Sequence, residues 1–171
     1  MSRIETALSS SVAREAGATV LRVALGAVFL AHAGAKAFIF TFAGTAQFFE
    51  AHGFPGWTAL PVFFAELLGG LALLAGFRTR LVALGLVPVM LGALKPHMAN
   101  GWMFTNSGGG WEYVAFLILA LVTQALIGSG AFALDRRSAL GRGASQHIRQ
   151  ALVGGATASS EDARGRGPQH R

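Results

Sequence analysis

Of the chain's 171 residues, 53% are hydrophobic and 13% charged, about half the charged fraction of an ordinary soluble domain, and this points to an integral membrane protein. The net charge of +6 comes from basic residues that flank hydrophobic stretches, with no groove-entering or base-stacking elements, so nucleic acid is set aside as a partner and the charge is read as topogenic. Cysteine is absent; disulfides, thiolate nucleophiles, Cys-ligated zinc and Cys-held iron–sulfur clusters go with it, and any redox chemistry must come from a bound cofactor or a partner.

Residues 1–16 carry Arg3, Glu5, Arg14 and Glu15 and read as a polar, amphipathic lead-in. A first span is predicted from about Thr19 to Phe42, rich in the small residues that let a neighbouring helix approach closely. Within it, Arg22, the apolar run Val23 to Leu30 and Ala31-His32-Ala33 mimic a cleavable leader. The apolar pattern continues past the apparent cleavage site, however, which favours a retained span. Thr45 to His52 reads as an interfacial helical turn, and Phe54-Pro55-Gly56 breaks the chain.

The second span runs from about Thr58 to Phe77, with Pro61 in its first turn, and ends in a basic Arg78-Thr79-Arg80 loop. The third, Leu81 to about Leu94, is the shortest; Pro88 predicts a kink and Lys95-Pro96-His97 an end. A long loop, Met98 to Gly110, precedes a fourth span from Trp111 to Ile127. Beyond Leu134 the composition turns to Arg, Gly, Ala, Ser and Gln, a basic tail too poor in apolar residues to pack. The expected fold class is therefore all-α, an integral membrane four-helix bundle over residues 17–134 with a tail over 135–171. The N-terminus, the Arg78/Arg80 loop and the tail hold nearly all the Arg, so both termini are expected on the cytoplasmic side of the membrane.

Ionisable groups inside the spans are the candidate site. His32 and Lys36 are four residues apart and share a helix face. At ~1.5 Å per residue, Lys36 lies ~21 Å from Arg22 and Glu66 ~18 Å from Arg78. The depths match, and because an unpaired charge at mid-membrane costs several kcal/mol, Glu66 is expected to face Lys36 with His32 beside them. Glu112 opens the fourth span near the depth of Lys95 and His97. Simpler roles exist for each: an orienting ion pair for Lys36 and Glu66, a carboxylate favoured by the helix dipole for Glu112, and a snorkelling boundary residue for Arg22. His32 and His97 differ in depth and lack further ligands, so a haem or metal site is not expected. Trp57, Trp102 and Trp111 fall where interfacial belts form.

The order of motifs resembles the DoxX family of small four-span bacterial membrane proteins. It rests on Leu21-Arg22-Val23-Ala24-Leu25-Gly26, Ala31-His32-Ala33-Gly34 and Lys36; on Ala65-Glu66-Leu67-Leu68-Gly69-Gly70, Leu74 and Arg78-Thr79-Arg80; and on His97, Asn100-Gly101-Trp102, Asn106, Gly109 and Trp111-Glu112-Tyr113. The resemblance implies a membrane oxidoreductase component, with members linked to quinone-coupled oxidation of sulfur compounds, catechol or quinone handling, and oxidative-stress complexes. It supplies no established active site.

Two readings follow. In the first, an outer-half cavity lined by His32, Lys36, Glu66 and Glu112, with Trp102 and Trp111 among its aromatic walls, takes a quinone: Lys36 polarises an oxygen, Glu66 carries a proton, and His32 or Glu112 assists. Electrons then come from a substrate or a redox partner subunit. In the second, the protein is a non-enzymatic scaffold or a permease-like module, alone or as a homo-oligomer, and the same charges hold helices together or line a polar path.

Overall fold

A segment surrounded by lipid must satisfy its backbone hydrogen bonds internally, and the chain meets that demand with helices. The computed structural model describes residues 11–135; the first ten residues of the lead-in and the tail from residue 136 lie outside the described residues. In order come α1 (Ser11–Gly34), a π-helical turn (Ala35–Ile39), α2 (Thr41–Ala51), a 3-10 turn (Gly56–Thr58), α3 (Ala59–Ala75), α4 (Thr79–Met98) and α5 (Glu112–Ile127). No strand occurs among the described residues. Three stretches, Ser11–Ile39, Gly56–Ala75 and Thr79–Met98, are long and apolar enough to cross a membrane, and α5 is a shorter apolar helix.

Their outer faces explain why. On α3, Leu60, Phe64, Leu68 and Leu71 are all exposed at spacings of three and four, one continuous apolar stripe where a water-facing helix would be polar. The inner faces meet in a core of Leu25, Phe29, Leu73, Leu86, Met90, Leu117 and Leu121. The stretch that mimics a leader is thus the inner spine of the bundle, with Arg22, Leu25, Gly26, Phe29 and Ala33 all buried.

Helices α1 and α3 run antiparallel in close contact. A methyl group added at Gly26 would lie 3.0 Å from the Gly70 carbonyl oxygen, and one at Gly70 would lie 3.0 Å from that of Gly26. Only glycine at both positions allows the backbones this near.

Arg22 departs from the boundary role its position suggests. It is 2% exposed, and its guanidinium donates to the carbonyl oxygens of Leu73 (2.6 Å), Leu74 (2.7 Å), Ser129 (2.9 Å) and Ala131 (3.3 Å). A helix leaves its last carbonyls without intrahelical donors. Here Phe77 N–H takes that of Ala72 and Gly76 N–H that of Leu73, while Arg22 supplies Leu73 again and Leu74. The charge does not snorkel because the adjacent chain end offers it a full set of acceptors.

The chain after α5 is folded onto the same end. Thr19 Oγ1 donates to Ala131 O, and Gly130, with φ of 69°, passes so close to α1 that a methyl there would lie 2.6 Å from Glu15 O. Asp135, at the head of the expected tail, accepts from Arg78 N (2.7 Å) and Thr79 N (3.0 Å) and so caps α4.

Helix α4 also corrects the third span. It has 20 residues and runs through both Pro88 and Pro96, whereas α5, with 16, is the shortest of the four apolar helices. Pro96 costs one hydrogen bond, but the turn beyond it is secured by His97 Nδ1 to Gly109 O (2.9 Å) and Asn100 Nδ2 to Gly108 O (3.1 Å) and Gly109 O (3.0 Å). Residues 11–16, for their part, form the opening of α1 itself.

Replacing Arg22 with Met leaves the Leu74 and Ser129 carbonyls short of a donor. At about 1–3 kcal/mol for each group left unpaired, the loss should exceed about 2 kcal/mol. Arg22→Lys, lacking the fork, should recover only part of it. Thermal unfolding of purified protein in detergent reads both, and an Arg22→Met variant as stable as the parent would remove the clamp from the account.

Candidate functional site

Side chains on a helix lean toward its N-terminus. On antiparallel α1 and α3 this tips Lys36 and Glu66 toward each other. Lys36 sits in the π-helical turn, where Phe40 N–H bonds back to Ala35 O at 2.9 Å, a local widening often found at functional positions. Its Nζ donates to both Glu66 oxygens, at 2.8 Å to Oε1 and 2.7 Å to Oε2. Glu66 is 5% exposed, while the Lys36 side chain keeps 17% of its surface. The Glu66 side chain is buried, and the Lys36 side chain keeps some exposure.

His32, one turn before Lys36, is half-buried, and its ring meets Tyr113 of α5 edge-on, with centroids 6.4 Å apart. Tyr113 also borders a second feature. Trp102, Phe104, Glu112, Tyr113, Ala115, Phe116 and Leu119 line a groove of about 450 Å³, within the roughly 300–1,000 Å³ of small-molecule sites.

The loop between α4 and α5 builds one wall of that groove. Glu112 Oε1 accepts from Phe104 N at 2.8 Å. Asn106 Nδ2 donates to Asn100 O at 2.8 Å, and Trp111 N and Glu112 N reach back to the Gly101 and Trp102 carbonyls, both at 3.1 Å. Trp102 and Trp111 pack edge to face at 4.4 Å. The Asn-Gly-Trp and Trp-Glu-Tyr motifs are therefore two halves of one loop clasp.

Of the residues singled out in the sequence, Lys36 and Glu66 are brought together, with His32 at their side. Glu112 is elsewhere: it lines the groove with Trp102, whereas Trp111 supports Trp102 from behind. One cavity was expected, but the structure divides it into an ion pair and a groove, joined through the contact of His32 with Tyr113. Lys95 stands over the Phe54 ring at 4.7 Å and His97 ties the loop, so neither joins Glu112. Among the described residues no group of three or more His, Asp or Glu is placed to hold a metal ion. Tyr113, the chain's one tyrosine, entered the sequence reading only as part of a motif; a lone phenol at the head of an apolar helix was the signal available.

Glu112→Ala removes the acceptor for Phe104 N. A hydrogen bond to a charged group contributes about 1.5–3 kcal/mol, less here because the bond is exposed, so amide exchange in a peptide covering 101–111 should speed up by about tenfold at ~1.4 kcal/mol per decade. Exchange followed by mass spectrometry checks this, and unchanged protection would leave Glu112 without its role in the loop.

The DoxX family model matches residues 17–108. The protein named "Putative oxidoreductase CatD" of Bacillus subtilis (strain 168) is 32% identical over 121 residues, covering 71% of this chain and 86% of that protein. The protein named "Inner membrane protein YqjF" of Escherichia coli (strain K12) is 36% identical over 132 residues, covering 71% of this chain and 92% of that one. No solved structure gives a significant match.

Proposed function

The chain belongs to the DoxX family and is a multi-pass protein of the bacterial inner membrane; from that premise we propose that it is the membrane-embedded component of a quinone-linked redox system. The observation that carries the reading is the state of Lys36. An ammonium has three N–H donors; two are spent on Glu66 and the side chain is partly exposed, so one remains to approach a ligand oxygen. The name of the relative CatD points the same way.

A quinone, when bound, supplies coupled electron and proton chemistry. The chain's own part is to hold an oxygen at Lys36 Nζ and to move a proton through Glu66, with His32 adjacent as a second proton carrier. Glu112 and Trp102 belong to the groove that Tyr113 also lines. Electrons come from a substrate or a partner subunit, since Lys, Glu and His side chains do not carry them.

The membrane arrangement we propose is four spans with both termini cytoplasmic. The start of α1, the turn at 76–78 and the segment 128–135 share one end of the bundle through the Arg22, Thr19 and Asp135 bonds, and the Arg-rich stretches flank that end, which suits the positive-inside rule. Helix α5 is the fourth span, about 24 Å long at ~1.5 Å per residue. Single cysteines at Phe77, Ser107 and Ser160 in this Cys-free chain test the arrangement with an impermeant thiol reagent on intact cells: position 107 alone should label, and labelling at 77 or 160 reverses it.

The buried carboxylate also suits the structural reading, in which Lys36 and Glu66 only bind helices together. Breaking one side of a buried pair costs about 3–5 kcal/mol, whereas replacing both partners is often near neutral. Glu66→Gln should therefore be less stable in detergent than Lys36→Met with Glu66→Gln. Quinone reduction by membranes carrying the stable double variant then decides between the readings: a folded, inactive protein supports the redox role, and full activity assigns the pair to structure alone.

A further inference from the structure

Resting on the quinone reading above, we infer that α2 is a hinged lid beside the Lys36–Glu66 pair, latched by Phe42 on Phe63, and that it lifts to admit the ring from the lipid. The hinge is at Thr41. Its φ of 59° holds a β-branched residue in the left-handed region, where side chains other than glycine are strained. That strain follows directly on the π-helical turn, Ala35–Ile39, which carries Lys36. Two unusual backbone features thus stand together where α1 ends and α2 folds back.

Helix α2 is also held weakly. Thr45 is its one buried residue, against six in α1 and four in α3, so little burial opposes its release. Its polar side chains do not tie it to the bundle either. Thr41 Oγ1 accepts from Gly44 N (3.2 Å), Thr45 Oγ1 donates to Thr41 O (2.9 Å), and the His52 ring meets Phe48 O (2.7 Å), all within the same segment.

The contact that fastens its start is aromatic. The Phe42 ring stands perpendicular to that of Phe63 on α3, with centroids 4.9 Å apart, a favourable but modest edge-to-face pair. Phe63 and Glu66 are three residues apart and share a face of α3, so the latch closes about one turn from the carboxylate. The turn between hinge and site presents Phe38, Ile39 and Phe40 outward. A ligand arriving through the lipid therefore meets apolar surface as far as the lid.

The Cys-free chain allows a direct test in nanodiscs. Thr45→Cys puts a thiol of similar size on the buried face of α2, and Ala83→Cys puts one in the core. A small membrane-permeant maleimide should modify position 45 at least about tenfold faster than position 83, because local opening costs less than global unfolding. Phe42→Ala should speed modification at 45, and Thr41→Gly, which relaxes the closed form, should slow it by about fivefold. Neither should change the rate at 83. Phe42→Cys with Phe63→Cys, joined by a short bis-methanethiosulfonate, should lose quinone reduction in membranes and regain it once the link is reduced and the reductant washed out.

Equal rates at 45 and 83 overturn the lid and leave the quinone reading standing. Full quinone reduction by the linked protein overturns α2 as the entry. No quinone reduction by the unlinked parent removes the quinone reading and the admission of a ring with it, while the cysteine rates still decide whether α2 lifts.

Discussion

The antiparallel contact between α1 and α3 is held at both ends by a cation from α1, and the remaining elements are arranged around it. At one end Arg22 gathers the terminal carbonyls of α3 together with the chain after α5. At the other, Lys36 takes the carboxylate of Glu66. Between them the backbones close on Gly26 and Gly70. In lipid there is no hydrophobic gain from bringing two apolar helices together, so packing and polar contacts must supply the cohesion. A pair of polar clamps with small residues between them is a direct answer to that constraint.

The two cations are not equivalent, and the difference separates stability from chemistry. The guanidinium of Arg22 is a planar fork whose Nε, Nη1 and Nη2 nitrogens all donate to neutral carbonyls inside the protein. It satisfies a helix end and has little left to offer a ligand. Lys36 faces a charged partner across a short distance, yet its side chain keeps some exposure and one donor free. The buried clamp therefore belongs to the fold, and the partly open one is where reactivity can reside.

Spacing made the second clamp legible in the sequence: His32 and Lys36 one turn apart, and Glu66 at a matching depth on the next span, leave few other partners for a charge inside a bilayer. Arg22 was not legible in the same way. A cation near a span boundary has a cheap default in the headgroup region, and only the path of residues 128–135, which no periodicity announces, shows that acceptors reach it first. Pro96 misled for a related reason: a proline after a lysine reads as a stop, but the loop bonds of His97 and Asn100 act across ten residues or so of chain and outweigh one lost helical bond. The groove depends on that same loop, so the sequence gathered its residues into one cavity with the ion pair although the fold keeps them apart.

Adjacent residues on an α-helix point about 100° apart, at 3.6 residues per turn. At the head of α5 this lets neighbours take separate tasks. Glu112 turns to the loop and accepts Phe104 N, securing the aromatic wall, while Tyr113, one step on, faces both the groove and His32. A carboxylate in a helix's first turn is stabilised by the unpaired N–H groups there, so the wall is anchored where an anion costs least. The phenol, exposed in the groove, is a neutral donor next to it. Dividing the roles this way gives the groove a hydrogen-bond donor without another charge to bury.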